Sequence, residues 1–189
     1  MHENKRRLAG LLLEKSYREG NIILASGRKS DYYFDCRVTA LHAEGSRLIG
    51  LLFNDTLKNL NIRGVGGMTM GADPLISAVT VTSVDFGRPL HGLLVRKEVK
   101  GHGTGQYVEG LGNFSAGDSV AMLDDVVTTG NSLLKACERI RTTGLNIAAV
   151  CAILDREEGG HEKLEEAGYD LLALFTRKTL LELARKSKI

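Results

Sequence analysis

Apolar positions along this chain recur with two different periods, and their alternation outlines a fold. Leu8, Leu11, Leu12 and Tyr17 fall at helical spacing and predict an amphipathic opening helix over residues 3–19. Short strands are expected at 22–25 and 32–36, either side of a turn at Ser26-Gly27. Leu48, Ile49, Leu52, Phe53 and Leu57 place a second amphipathic helix over 42–60. A strand ending in Val65-Gly66-Gly67 then turns through MTMGADP into a helix that begins near Asp73-Pro74, with proline suited to the first turn. Residues 120–123 and 146–154 form apolar runs, the pattern of buried strands in a parallel sheet, and further strands are expected at 91–95 and 171–175. Helical patterns follow three of them: one through Leu133, Leu134, Ala136, Cys137 and Ile140, one over 157–167 and one over 179–185. Between 96 and 112 the sequence RKEVKGHGTGQYVEGLG carries five glycines and no apolar period, so a long mobile loop is expected. Strands that alternate with helices predict an α/β domain with a mostly parallel sheet.

Length and composition narrow the class. The 189 residues suit one domain, with neither internal repeat nor linker. Hydrophobic content of 43% and charged content of 25% are ordinary for a soluble globular protein. A net charge of +2 gives no case for a nucleic-acid partner. No apolar run reaches the ~18 residues of a membrane span, and the polar start MHENKRR does not read as a signal peptide, so a cytoplasmic protein without a membrane partner is expected. Cys36, Cys137 and Cys151 are odd in number and lack metal spacing; buried free thiols in a reducing compartment are the natural reading. Neither a Gly-x4-Gly-Lys-Ser/Thr nor a clean Gly-x-Gly-x-x-Gly occurs, which argues against a P-loop or dinucleotide site.

Candidate chemistry concentrates in residues 118–132, DSVAMLDDVVTTGNS. Apolar Val120 to Leu123 lead to adjacent carboxylates, Asp124 and Asp125, where the strand is expected to stop. Small and hydroxyl residues follow before the next helix. Free amides at a helix start, with Thr and Ser hydroxyls, can hold a phosphate. Two neighbouring carboxylates can accept hydrogen bonds from sugar hydroxyls. A phosphorylated ribose presents both groups at once.

Across LDDVVTTGNS the chain resembles the phosphoribosyl-pyrophosphate (PRPP) loop of the type I phosphoribosyltransferase family. That resemblance implies the family's fold: a mostly parallel central sheet flanked by helices, with a small N-terminal hood formed mainly by about residues 1–40 with C-terminal contributions. It implies that Asp124 and Asp125 hold the ribose, and that Val126, Val127, Thr128, Thr129, Gly130, Asn131 and Ser132 hold the 5′-phosphate. GGMTMGADP resembles the family's pyrophosphate loop, giving that role to Thr69, Met70 and Gly71 and implying a non-proline cis peptide near Thr69-Met70. RKEVKGHG is similar to the catalytic lid of the orotate-specific branch, so Arg96, Lys97, Lys100 and His102 would bind PRPP, with Lys100 catalytic alongside the two aspartates. LDREEGG and SGRKSDYYFD resemble that branch's base site, where Arg156, Thr128 and an aromatic at Phe34 would take orotate. Transfer of ribose 5-phosphate from PRPP to orotate would follow, assisted by Mg²⁺ held mainly by PRPP and water, with no direct protein metal ligand. The branch also implies a homodimer whose lid, residues 96–110, acts in trans. A transferase for another base, and a non-catalytic PRPP-sensing module, are the rivals; Arg156 and the basic lid speak against the first, the intact lid against the second. Many family members carry a lysine directly before the Ser-Gly and another near the pyrophosphate loop, where this chain has Ala25 and Met70-Gly71.

Overall fold

The computed structural model describes residues 2–23, 29–98 and 107–187. Helix α1 (His2–Leu11) passes through a π-helical turn, Leu12–Ser16, into strand β1 (Tyr17–Ile23). Tyr17 is therefore not the end of a helix, as its spacing suggests. It opens a strand because its ring packs on aromatic neighbours of strand β2 (Lys29–Phe34), with centroids 6.1 Å from Tyr32 and 5.9 Å from Phe34. β1 and β2 form a separate antiparallel ribbon. The second strand ends before Cys36, because the Asp35 carboxylate accepts the amide of Arg37 and caps helix α2 (Cys36–Ala40).

Helix α3 (Ala43–Leu57) and helix α4 (Asp73–Ser83) pack closely, since Gly50 leaves no side chain between them. Buried Asn54 pins the pair by donating to the carbonyls of Gly50 and Val79 and to the Thr82 hydroxyl.

Six strands form the main sheet: β3 (Gly64–Met68), β4 (His91–Val95), β5 (Val108–Glu109), β6 (Ser119–Val127), β7 (Asn146–Asp155) and β8 (Leu171–Thr176). Their spatial order is β5-β4-β3-β6-β7-β8, parallel except for the short edge strand β5. Val108 and Glu109 lie within the stretch expected to be a loop; they pair with Val95 and Leu94, and a 3₁₀ turn, Leu111–Asn113, follows with Leu111 packed against the core. Residues 99–106, and with them Lys100 and His102, lie outside the described residues.

Helix α5 (Asn131–Arg141), helix α6 (Gly160–Glu166) and helix α7 (Arg177–Ser187) complete the chain. One apolar core joins α1, α3, α4 and α7 to one face of the sheet; a second joins α5 and α6 to the other. Strand β6 runs between them with Val120 to Leu123 fully buried. The three cysteines are free and buried.

Candidate active site

In an open parallel sheet, ligands bind at the carboxyl ends of the strands, where successive connections leave toward opposite faces. Here that point lies between β3 and β6, because α4 follows β3 on one face and α5 follows β6 on the other. β6 does not stop before its acidic pair. It continues to Val127 because β7 extends beside it, pairing Asp124 with Ala152 and Val127 with Asp155. On its other edge the ladder ends at Gly67–Leu123. Asp124 and Asp125 are thus sheet residues on one side and border an open crevice on the other.

That crevice is a cavity of about 540 Å³. Its lining brings together Phe34, Thr69, Met70, Gly71, Lys97, Asp124, Asp125, Val126, Thr128, Ser132 and Arg156, expected from distant parts of the chain. Val127 is buried, and its carbonyl accepts the amide of Arg156 at 3.0 Å. Thr129, Gly130 and Asn131 form the turn from β6 into α5 without lining the cavity. Gly130 adopts φ +73°, a conformation suited to glycine, and turns the loop into α5. No side chain caps that helix, so its first amides point at the loop. The Asn131 amide oxygen accepts from Lys163 at 2.5 Å. Arg96 also stands outside the cavity, with Nη2 2.8 Å from Glu109 Oε1.

The acidic pair is held by its own backbone: Asp125 N–H donates to Asp124 Oδ1, and Val126 N–H to Asp125 Oδ1, each at 3.0 Å. Burial, and then the neighbouring Asp125 charge, push the Asp124 carboxyl well above the usual carboxylate range. Burial also raises Asp125, against the pull of its bond from Val126. Gly71 makes room for the pair, since a Cβ there would lie 2.9 Å from Asp125 Oδ1. The peptide between Thr69 and Met70 is cis.

Across the cavity, the Arg156 side chain is only 10% exposed. Its Nη2 lies 2.8 Å from Glu158 Oε1, its Nε donates to the Tyr32 hydroxyl at 2.9 Å, and its guanidinium stands 4.8 Å from the Tyr32 ring centre. The end of β7 is thereby tied to the aromatic ribbon of the hood. Burial pushes the Tyr32 hydroxyl up, although Arg156 opposes it.

Tyr33, Asp35, Arg37 and Met68 also line the cavity, and no sequence motif points to them. Arg37 is anchored on Asp35 by two bonds of 2.8 Å, which hold that carboxyl below its ordinary range. An arginine two residues past an aspartate carries no recognisable motif; only the turn of α2 directs it inward.

No protein-family model matches the chain. It is 45% identical to the orotate phosphoribosyltransferase of Sorangium cellulosum over 178 residues, covering 94% of this chain and 93% of that protein. The corresponding protein of Nostoc sp. is 41% identical over 172 residues, 91% of this chain and 82% of the relative. Among solved structures, Mycobacterium tuberculosis orotate phosphoribosyltransferase in complex with PRPP superposes with a TM-score of 0.79 at 30% identity, covering 94% of this chain and 98% of that one.

Proposed function

The chain belongs to the orotate phosphoribosyltransferase family, and from that premise we infer how its site works. The reaction of this pentosyltransferase moves ribose 5-phosphate from PRPP to orotate, giving orotidine 5′-monophosphate and pyrophosphate in pyrimidine synthesis.

The observation that carries the reading is the placement of Asp124 and Asp125 in the switch-point crevice, with Gly71 on one side and Arg156 in the same cavity. Ribose hydroxyls donate to the two carboxylates, and the charge-assisted bonds offset the cost of keeping both ionised. The uncapped start of α5 and the hydroxyls of Thr128 and Ser132 receive the 5′-phosphate, with Thr129 and Gly130 supplying the turn between them. Thr69, Met70 and Gly71 offer backbone to the pyrophosphate. Arg156 and Thr128 bind orotate beneath Phe34, the planar guanidinium matching its carboxylate.

The bond from the anomeric carbon to pyrophosphate breaks as the bond to the orotate nitrogen forms, through an oxocarbenium-like state, with inversion and no covalent enzyme intermediate. Lys97 stabilises charge gathering on the leaving group. Lys100 and His102, outside the described residues, have the same role, and Arg96, paired with Glu109, supports the root of their lid.

Among the described residues no three metal-ligating side chains cluster. Asp124 and Asp125 would tolerate a hydrated Mg²⁺ held mainly by PRPP and water, and such an ion would supply charge neutralisation at the pyrophosphate. We also propose one domain over 1–189, its hood completed by Arg177, 4.0 Å over the Tyr32 ring. A homodimer with trans-acting lids 96–110 finds support in exposed Val38, Leu41, Met70, Val81 and Val84. Among the described residues no helix is long and apolar enough to cross a membrane. The three buried thiols support a cytoplasmic setting.

Following orotate absorbance with and without PRPP and Mg²⁺ tests the reading. Orotate should disappear only when both are present, and uracil, which lacks the carboxylate, should react poorly. Equal turnover of uracil and orotate would contradict the assignment.

A further inference from the structure

We propose that Arg37 is a further cation that binds the pyrophosphate end of PRPP, on the side of the cavity formed by Met70 and Gly71, in addition to the lid side chains. The inference rests on the functional reading above and adds a residue to it.

Charge in the cavity is unevenly committed. Pyrophosphate is multiply anionic, yet the loop Thr69-Met70-Gly71 that faces it carries no cation. Met70 is 70% exposed and offers only a thioether. Among the described lining residues the cationic side chains are Arg37, Lys97 and Arg156. Arg156 is engaged with Glu158 and Tyr32 at the hood. Lys97 follows β4 at the root of the lid.

Arg37 alone of the three also lines the neighbouring hollow beside Met70, Asp73 and Pro74, which puts it next to the pyrophosphate loop. Its own favourable interactions include the charge of Asp125. Two short bonds to Asp35 fix the guanidinium through Nε and Nη2, leaving Nη1 for another partner. Asp35 is fixed in turn, since it also caps α2. A guanidinium preset in this way loses little freedom when a phosphate arrives. The sequence conceals the arrangement, because the cation lies more than thirty residues before the loop it serves.

Calorimetry on the intact protein with two probes, Mg²⁺-pyrophosphate and ribose 5-phosphate, tests this. Wild type should bind both. Arg37→Gln should weaken Mg²⁺-pyrophosphate roughly 10- to 100-fold, the loss expected on removing a charge-assisted partner, and leave ribose 5-phosphate within about twofold. Arg37→Lys should keep part of the affinity. Arg37→Gln with Met70→Lys should regain pyrophosphate binding, because the charge returns from the loop itself. A merely structural arginine would not be rescued from residue 70 and would weaken both probes together. Equal losses for the two probes, an unchanged pyrophosphate affinity, or no recovery with Met70→Lys each overturn the proposal. Failure of wild type to bind either probe would instead count against the functional reading. If Arg37→Gln fails to fold, Arg37→Lys with Met70→Lys must bind Mg²⁺-pyrophosphate at least as tightly as wild type, and weaker binding overturns the proposal.

Discussion

The buried acidic pair, Asp124 above all, contributes to the pH behaviour of the unliganded protein. The Asp124 carboxyl sits above the ordinary range because of burial and the adjacent Asp125. Below the ordinary carboxylate range, folded and unfolded chains both hold the proton. As pH rises from about 4, the unfolded chain ionises first, so this contribution to stability falls until the folded group ionises too. The apo protein should therefore lose melting temperature between pH 5 and pH 8, and Asp124→Asn should flatten that loss; identical slopes in both proteins would contradict it. At Arg156 the expected effect is on the base. Arg156→Ala should raise the KM for orotate by roughly 10- to 100-fold, with a smaller change for PRPP. A larger effect on PRPP in steady-state kinetics would move Arg156 out of the base site.

At the scale of elements, the site depends on how closely β3 and β6 approach. A Cβ on Gly67 would fall 2.4 Å from the Leu123 carbonyl oxygen and 2.4 Å from the Ala72 Cβ. Gly67→Ala should therefore cost about 1–3 kcal/mol, a fall in melting temperature of roughly 2–12 °C in a domain of this size, because backbone must move. An unchanged melt would mean that the strands separate freely. The same elements show what the sequence made legible. Buried apolar runs placed β6 and β7 to within a few residues, since a doubly covered strand leaves an unbroken mark. LDDVVTTGNS revealed the acidic pair, because its chemistry is local. The continuation of β6 through Asp124 and Asp125 was hidden, because it depends on β7 extending alongside. Tyr17 misled for a similar reason: helical spacing cannot show that its ring will pack across a ribbon. Arg37 was silent because its partner loop is distant in sequence.

For the whole molecule, the proposed homodimer with lids acting in trans would make assembly a condition of activity, and exposed apolar side chains on α2 and α4 support it. Leu41, Met70 and Pro74 line one hollow, while Val81 and Val84 continue the α4 face that includes Ser77. Leu41→Asp with Val81→Asp should yield a folded monomer with little turnover, checked by sedimentation and assay; a fully active monomer would refute lids acting in trans. Mixing Lys100→Ala with an Asp124→Asn, Asp125→Asn protein should restore part of the activity after subunit exchange, through one intact hybrid site. The acidic pair is proposed to serve PRPP rather than the fold. Thermal melts of wild type and of the Asp124→Asn, Asp125→Asn protein, each with and without PRPP and Mg²⁺ at pH 8, address it directly. At about one hundred times Kd, PRPP should stabilise wild type by roughly 2.7 kcal/mol, a shift of about 5–10 °C. The double variant should melt at or above the wild-type apo temperature and lose most of that shift. A lower apo melting temperature with the PRPP shift retained would make the pair a structural feature and remove it from the PRPP site.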